Sequence, residues 1–173
     1  MFYLRKFYLL NSRRDLISKF NHYENINSVN SIKSTDFSFS SLKNKKFCLL
    51  GLGFLFLITR KKGVIPTPSR KNFNKNLKCH LKLKKTDSLN FIENFLRLNV
   101  KNILDLDEGF AKKNFSEKGT FSFIIQDLYI FSELGESVFK FRNLRNLNIF
   151  INFTSFNKKE NLELLKSFGF SFI

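Results

Sequence analysis

The sequence predicts an α+β fold: a mostly antiparallel sheet flanked by helices, from which one basic loop protrudes. Three observations predict it. The stretches "LKCHLKLK" and "LNIFINFT" alternate apolar and polar residues with the period of a half-buried strand. The run "FCLLGLGFLFLI", Phe47 to Ile58, is almost pure hydrocarbon and has the length of a core helix. Strand and helix patterns then follow one another without a regular βαβ period. The chain has 173 residues, is 43% hydrophobic and spreads 24 Phe along its length, enough to fill a core. With no composition break and no internal repeat, a single domain over residues 1–173 is expected.

An opening helix has Leu10, Ile17 and Phe20 along one side and ends near Asn21. "VNSIKSTDFSF" alternates loosely and reads as a strand from Val29 to Phe39. The apolar run makes a helix from Leu42 to about Ile58, with Ser40 or Ser41 as its N-cap. Gly51 and Gly53 within it suit close packing by a neighbouring element. Lys45 and Lys46 before the run and Arg60 to Lys62 after it leave it shorter than the ~18–20 residues a bilayer requires, so no membrane insertion is expected. Its "GLGFLF" lacks the third glycine and the preceding strand of a dinucleotide fingerprint.

Arg60 to Lys62 then form a turn, Gly63 to Asn76 a basic loop, and Leu77 to Lys85 the clearest strand of the chain. In it Leu77, Cys79, Leu81 and Leu83 face one way, Lys78, His80, Lys82 and Lys84 the other. Thr86 or Asp87 caps a helix striped by Leu89, Ile92, Leu96 and Val100. Strands follow at Thr120 to Ile125 and Leu147 to Thr154; Leu147, Ile149, Ile151 and Phe153 are the apolar face of the latter. Asn157, with Glu160 three residues on, is an N-cap signature for a last helix that ends at Gly169. Cys48 and Cys79 sit in apolar patterns and read as small buried hydrophobes rather than a disulfide framework.

Charge is the functional signal. Residues 1–86 hold 19 basic and 3 acidic side chains, residues 87–173 hold 11 of each, so the net +16 lies in the first half. Such asymmetry fits a surface that sits on a polyanion. RNA, DNA and an acidic membrane all qualify on charge alone. Between Ile58 and Lys85 there are ten Lys or Arg and no acidic residue. Arg60, Lys61, Lys62, Arg70, Lys71, Lys75 and Lys78 are spaced to follow a phosphate backbone, and Phe73 can stack on a base. His80 and Lys82 extend the series along the strand.

The enzyme case is thin. The two histidines, His22 and His80, have no Cys or His at metal spacing. Asp105, Asp107 and Glu108 read as a solvated acidic turn before Gly109. No phosphate loop ends in Lys-Ser/Thr and no Ser elbow is present, so neither a reaction nor a cofactor is expected. The Arg-rich opening "MFYLRKFYLLNSRRDL" fits either a mitochondrial presequence or a mature amphipathic helix.

The C-terminus "NKKENLELLKSFGFSFI" resembles the ending of the 5S-rRNA-binding large-subunit ribosomal protein family L-five: Phe168, Gly169, Phe170 and Phe172 match, and Ser171 replaces a Pro. Phe131, Glu133, Arg145, Leu147 and Ile149 keep the frame of the family's preceding block. Phe20, Tyr23, Asn25 and Val29 match its opening helix and first strand, and the match begins by Leu4, which favours the mature helix. "ITRKKGVIP" and "LKCHLKL" stand where the family has a turn and a strand. The resemblance implies an antiparallel sheet flanked by helices, and a structural role in the central protuberance of the large ribosomal subunit. It implies large-subunit rRNA and 5S rRNA as partners, with P-site tRNA and a small-subunit bridge protein. Carried over by position, Arg60 to Lys62 fall at the rRNA-contacting turn, and Arg70, Lys71, Phe73 and Lys75 in the tRNA-facing loop. That loop is shorter than the family's bacterial pattern, "SFS" at Ser38 to Ser40 replaces Asn-Met-Gly, and "DLDEG" replaces a basic turn. This drift, with the A/T-coded bias toward Phe, Lys, Asn and Ile, points to a mitochondrial, organelle-encoded ribosome. A free-standing RNA- or DNA-binding protein is the competing reading of the same arm.

Overall fold

Side-chain alternation across a pleated sheet organises the chain. The structure, a computed structural model, describes residues 3–20, 30–42, 45–65, 77–99, 110–111 and 114–173. Four strands, β1 (Ile32–Leu42), β2 (Leu77–Lys84), β3 (Phe121–Ile125) and β4 (Leu147–Phe153), lie in the order β2-β1-β4-β3. Pairing is antiparallel, as expected: Thr154 N–H donates to Ser31 O at 2.9 Å, and Asn152 Nδ2 to Ser34 Oγ at 3.2 Å, so numbers rise on one strand as they fall on the other. Chain contacts divide into two units, Met1–Thr35 with Lys84–Ser122 and Ile151–Ile173, and Asp36–Leu83 with Phe123–Phe150.

In the first unit the opening segment is α1 (Tyr3–Phe7), a wide π turn (Tyr8–Ser12) and α2 (Arg13–Phe20). Leu4, Ser12 and Leu16 are buried, whereas Leu10 is 47% exposed and Ile17 and Phe20 are half-buried. The expected stripe is therefore wrong. The π turn holds more residues per turn than an α-helix, so each residue rotates less about the axis and Leu4, Tyr8, Ser12 and Leu16 align instead. Tyr8 Oη donates to Asn30 O at 2.7 Å and Ser167 Oγ to Ser12 Oγ at 2.9 Å.

Helix α4 (Lys85–Asn94) starts one residue before the predicted caps, with Lys84 in extended geometry at the N-cap position and no capping side chain. Thr86 and Asp87 fall in its first turn, where the Asp87 carboxylate complements the helix dipole. Leu89 and Ile92 are buried as expected. Phe91 and Phe95, however, take the remaining inward positions; Leu96 is half-buried, and Val100 lies outside the described residues. The last helix, α5 (Lys158–Phe168), is capped as its sequence indicates. Asn157 Oδ1 accepts from Lys159 N–H at 3.1 Å, Asn157 Nδ2 donates to Glu160 Oε1 at 3.0 Å, and Gly169 closes the helix at φ 105°. The Asn161 side chain, fully buried, bonds to Asn30 and donates to Gly119 O at 2.8 Å. Phe110, Phe115, Phe121, Phe170 and Phe172 make a ring cluster, with paired centroids 5.0 to 6.2 Å apart.

In the second unit β1 continues through Leu42, so Ser40 and Ser41 are strand residues and not helix caps. Phe37 and Phe39 are buried on β1, and α3 starts only at Lys45 (Lys45–Thr59). Cys48, Gly51, Phe54, Leu55 and Ile58 form its buried stripe. Gly51 sits close to Cys79 and Phe39, so a Cβ there would lie 3.2 Å from each; Gly53 has no comparably close neighbour. A 3₁₀ turn, Leu128–Ile130, and a 3₁₀ stretch, Ser132–Phe141, broken by a kink at Gly135 (φ 48°, ψ −136°), lead into β4; the apolar periodicity announces neither. Among the described residues no helix is long and apolar enough to cross a membrane.

Cys48 and Cys79 are free and fully buried, and the Cys79 thiol donates to Cys48 O at 3.0 Å. Burial, and secondarily Cys48, push the Cys79 thiol up from 9.0 to about 12. The folded value lies above the unfolded one, so this contribution to stability is full below 9 and lost as pH rises toward 12. At neutral pH Cys79 should resist an aromatic disulfide reagent until the chain is unfolded; equal labelling rates in native and denatured protein would contradict its burial.

Gly119 has φ 74°, and a Cβ there would lie 2.6 Å from Asn161 Nδ2 and 2.9 Å from Phe156 O. Gly119→Ala should therefore lower unfolding free energy by about 2 kcal/mol, read from the urea midpoint. A midpoint equal to the parent's would show that this turn can relax.

Candidate nucleic-acid interface

The end of α3 and the strand β2 build the candidate site together. Arg60 follows the last helical residue in left-handed geometry, φ 54°, a conformation that costs a non-glycine residue about 1–2 kcal/mol. It is held by Arg60 N–H donating to Phe56 O at 2.7 Å. Thr59 Oγ1 donates to Leu55 O at 2.6 Å and accepts from Lys61 N–H at 3.3 Å, which fixes the following residue. Arg60, Lys61 and Lys62 are exposed, and their charges complement the negative end of the helix dipole. Part of this cationic turn thus serves the helix itself.

The chain then returns to β2. Val64 N–H donates to His80 O at 2.7 Å and His80 N–H to Val64 O at 2.9 Å, a one-residue antiparallel bridge. Among the described residues β2 is an edge strand that pairs with β1 in the sheet, so this bridge lies along its other edge. On β2 the predicted faces hold: Cys79, Leu81 and Leu83 are buried, Lys78 and Lys82 exposed, and His80 half-exposed. Lys82 Nζ is 3.8 Å from Asp36 Oδ2 on β1, a partly exposed pair worth at most about 1 kcal/mol. The Val64–His80 bridge ties the Arg60–Lys62 turn to the strand that carries Lys78, His80 and Lys82.

Sequence reasoning placed these six residues in one basic surface, and the structure brings the turn and the strand together. Arg70, Lys71, Phe73 and Lys75, and most of the Gly63–Asn76 loop, lie outside the described residues, as do Asp105, Asp107 and Glu108. The Val64 pairing and the Asp36 counter-charge were missed. Asp36 is one of only three acidic residues in the first half, and a register placing it beside Lys82 would have revealed the pair.

These features define a class: an α+β protein whose edge strand turns a hydrocarbon face to the core and a cationic face to solvent. The family follows from comparison with known proteins. The family model for the C-terminus of the ribosomal L5 family matches residues 76–172, from the start of β2 to the end of the chain's aromatic cluster. The chain is also 30% identical over 117 residues, 67% of its length, to the large ribosomal subunit protein uL5 of Buchnera aphidicola, a match that spans 63% of that relative's own length. The chain belongs to the ribosomal L5 family, a family of structural proteins and not of enzymes.

Gly63 sets the approach of turn to strand: a Cβ there would lie 2.8 Å from Leu52 Cδ2 and 3.2 Å from His80 O. Gly63→Ala should open the bridge and cost about 1–2 kcal/mol. Faster hydrogen exchange at the Val64 and His80 amides, with β4 amides unchanged, is the expected signature; unaltered exchange at His80 would show the contact to be slack.

Proposed function

We propose that this chain is a structural constituent of a large ribosomal subunit, bound to its rRNA through the Arg60–Lys62 turn and the outer face of β2. The observation that carries the reading is the joining of these cations by the Val64–His80 bridge in a chain of this family. The finer reading places it in the central protuberance, against large-subunit rRNA and, where the ribosome has one, 5S rRNA. Arg70, Lys71, Phe73 and Lys75 then reach toward P-site tRNA, and a small-subunit protein is met across an intersubunit bridge. The A/T-coded residue bias and the altered family blocks support a mitochondrial ribosome.

The chain should co-sediment with large subunits, and ultraviolet crosslinking should recover large-subunit rRNA from it. Recovery wholly in the soluble fraction with scattered nucleic acid would favour a free-standing binder; flotation with anionic vesicles after nuclease would favour a membrane surface. Lys78→Glu should weaken RNA binding more than Lys82→Glu, because Lys82 has a carboxylate beside it. If six to ten phosphates are neutralised, affinity should fall roughly 10³–10⁵-fold between ~50 and ~200 mM salt. Charge reversal at Lys78 without effect would remove β2 from the interface.

A further inference from the structure

A second cationic site lies away from β2. Between β3 and β4 the two 3₁₀ segments and the turn after them enclose an open cleft of about 410 Å³, within the range of small-ligand sites. Its floor is apolar: Leu128, Val138, Phe141 and Leu144 line it and are each less than a tenth exposed. Its rim carries Tyr129, 48% exposed, and the exposed side chains Arg142 and Arg145. Asp127 is the one carboxylate of the lining, and its Oδ1 accepts from Tyr129 N–H at 2.8 Å, which caps the first 3₁₀ turn. Glu133 and Glu136, on the neighbouring segment, do not line the cleft.

Asn146, also in the lining, has φ 58°, a left-handed conformation uncommon outside glycine, directly after Arg145. That bend separates Arg145 from the start of β4 at Leu147. The ring of Tyr129 is braced edge-to-face by Phe139 at 5.9 Å, so one aromatic surface is held while much of it stays in solvent.

We propose that this cleft binds a single unstacked nucleotide of RNA, its base on the Tyr129 ring and its phosphate between Arg142 and Arg145. The residue types fit the parts of that ligand. Guanidinium groups pair with phosphate oxygens through two N–H bonds, and an exposed tyrosine offers a stacking platform for a base. The apolar floor excludes water from below, and the Asn146 amide offers a donor and an acceptor to a base edge. Two arginines against one capping carboxylate leave the rim net positive. An acidic peptide would satisfy the arginines but has no use for the braced ring.

The test uses the full chain, isotope-labelled, titrated with 5′-AMP, adenosine and hexaglutamate. Saturable amide shifts at Tyr129, Arg142 and Asn146 are expected with 5′-AMP, and adenosine should bind about tenfold more weakly. Arg142→Ala with Arg145→Ala should weaken 5′-AMP about tenfold or more, and Tyr129→Leu should do likewise while Tyr129→Phe retains binding. Lys78→Glu, on β2, should leave the titration unchanged, which separates this site from the proposed rRNA face. No saturable shift in the cleft, or hexaglutamate binding as well as 5′-AMP in a manner indifferent to Tyr129→Leu, overturns the proposal. The second outcome would assign the cleft to an acidic protein segment.

Discussion

The Phe54 ring is the contact on which the second unit depends. It is fully buried and meets Phe39 of β1 at 5.7 Å, Phe131 at 5.5 Å and Phe141 at 5.4 Å, each edge-to-face. One side chain thereby fixes α3 against the sheet and holds the 3₁₀ segment in place. Each such pair adds about 0.5–1.5 kcal/mol beyond the area it buries. Both candidate surfaces depend on this ring. The placement of α3 decides where Arg60 to Lys62 leave the helix, and Phe141 forms part of the floor beneath Arg142 and Arg145. The geometry of both candidate surfaces is therefore coupled to this packing.

The edge of any sheet offers a row of backbone N–H and C=O groups that invites another strand. On β2 the Val64–His80 bridge occupies part of that edge, while Lys78 and Lys82 place charge beside the rest. On β3 the bridge from Phe115 to Phe121 plays the corresponding part, this time within an aromatic cluster. The lysines of β2 thus have two physical roles. They discourage edge pairing, and they present cations that a phosphate backbone would satisfy. Edge protection alone does not call for a net +16, which is why the polyanion reading goes further than the protective one.

What was legible in the sequence was whatever local chemistry alone decides. β2 and β4 were readable because strict alternation survives burial of one face, and α5 because Asn157, Glu160 and Gly169 satisfy the helix ends by themselves. The errors fall where distant contacts choose between local options. Ser40 and Ser41 are good caps in isolation, but the pleat begun at Phe37 and Phe39 keeps them in strand. A normal helix would have turned Leu10 inward; the π turn at Tyr8–Ser12 instead brings Ser12 to α5 and exposes Leu10. The basic strand was legible, but the return of Val64 to His80 was not, since a single bridge leaves no period.

Composition narrows how such a chain can pack, and the aromatic contacts are the consequence. With no Trp and only one Ala, large-to-small interdigitation is largely replaced by Phe against Phe. A flat ring tolerates neighbours at many angles, so clusters such as Phe110, Phe115, Phe121, Phe170 and Phe172 fill space without a unique jigsaw. The polar chemistry has less latitude. Asn30, Asn161 and Thr154 bond to one another and to the backbone at Gly119 and Ser155, each donor finding an acceptor while buried or partly buried. Drift can therefore rewrite the apolar interior more freely than these few amides, and the register of β1 against β4 is held by the residues with the fewest alternatives.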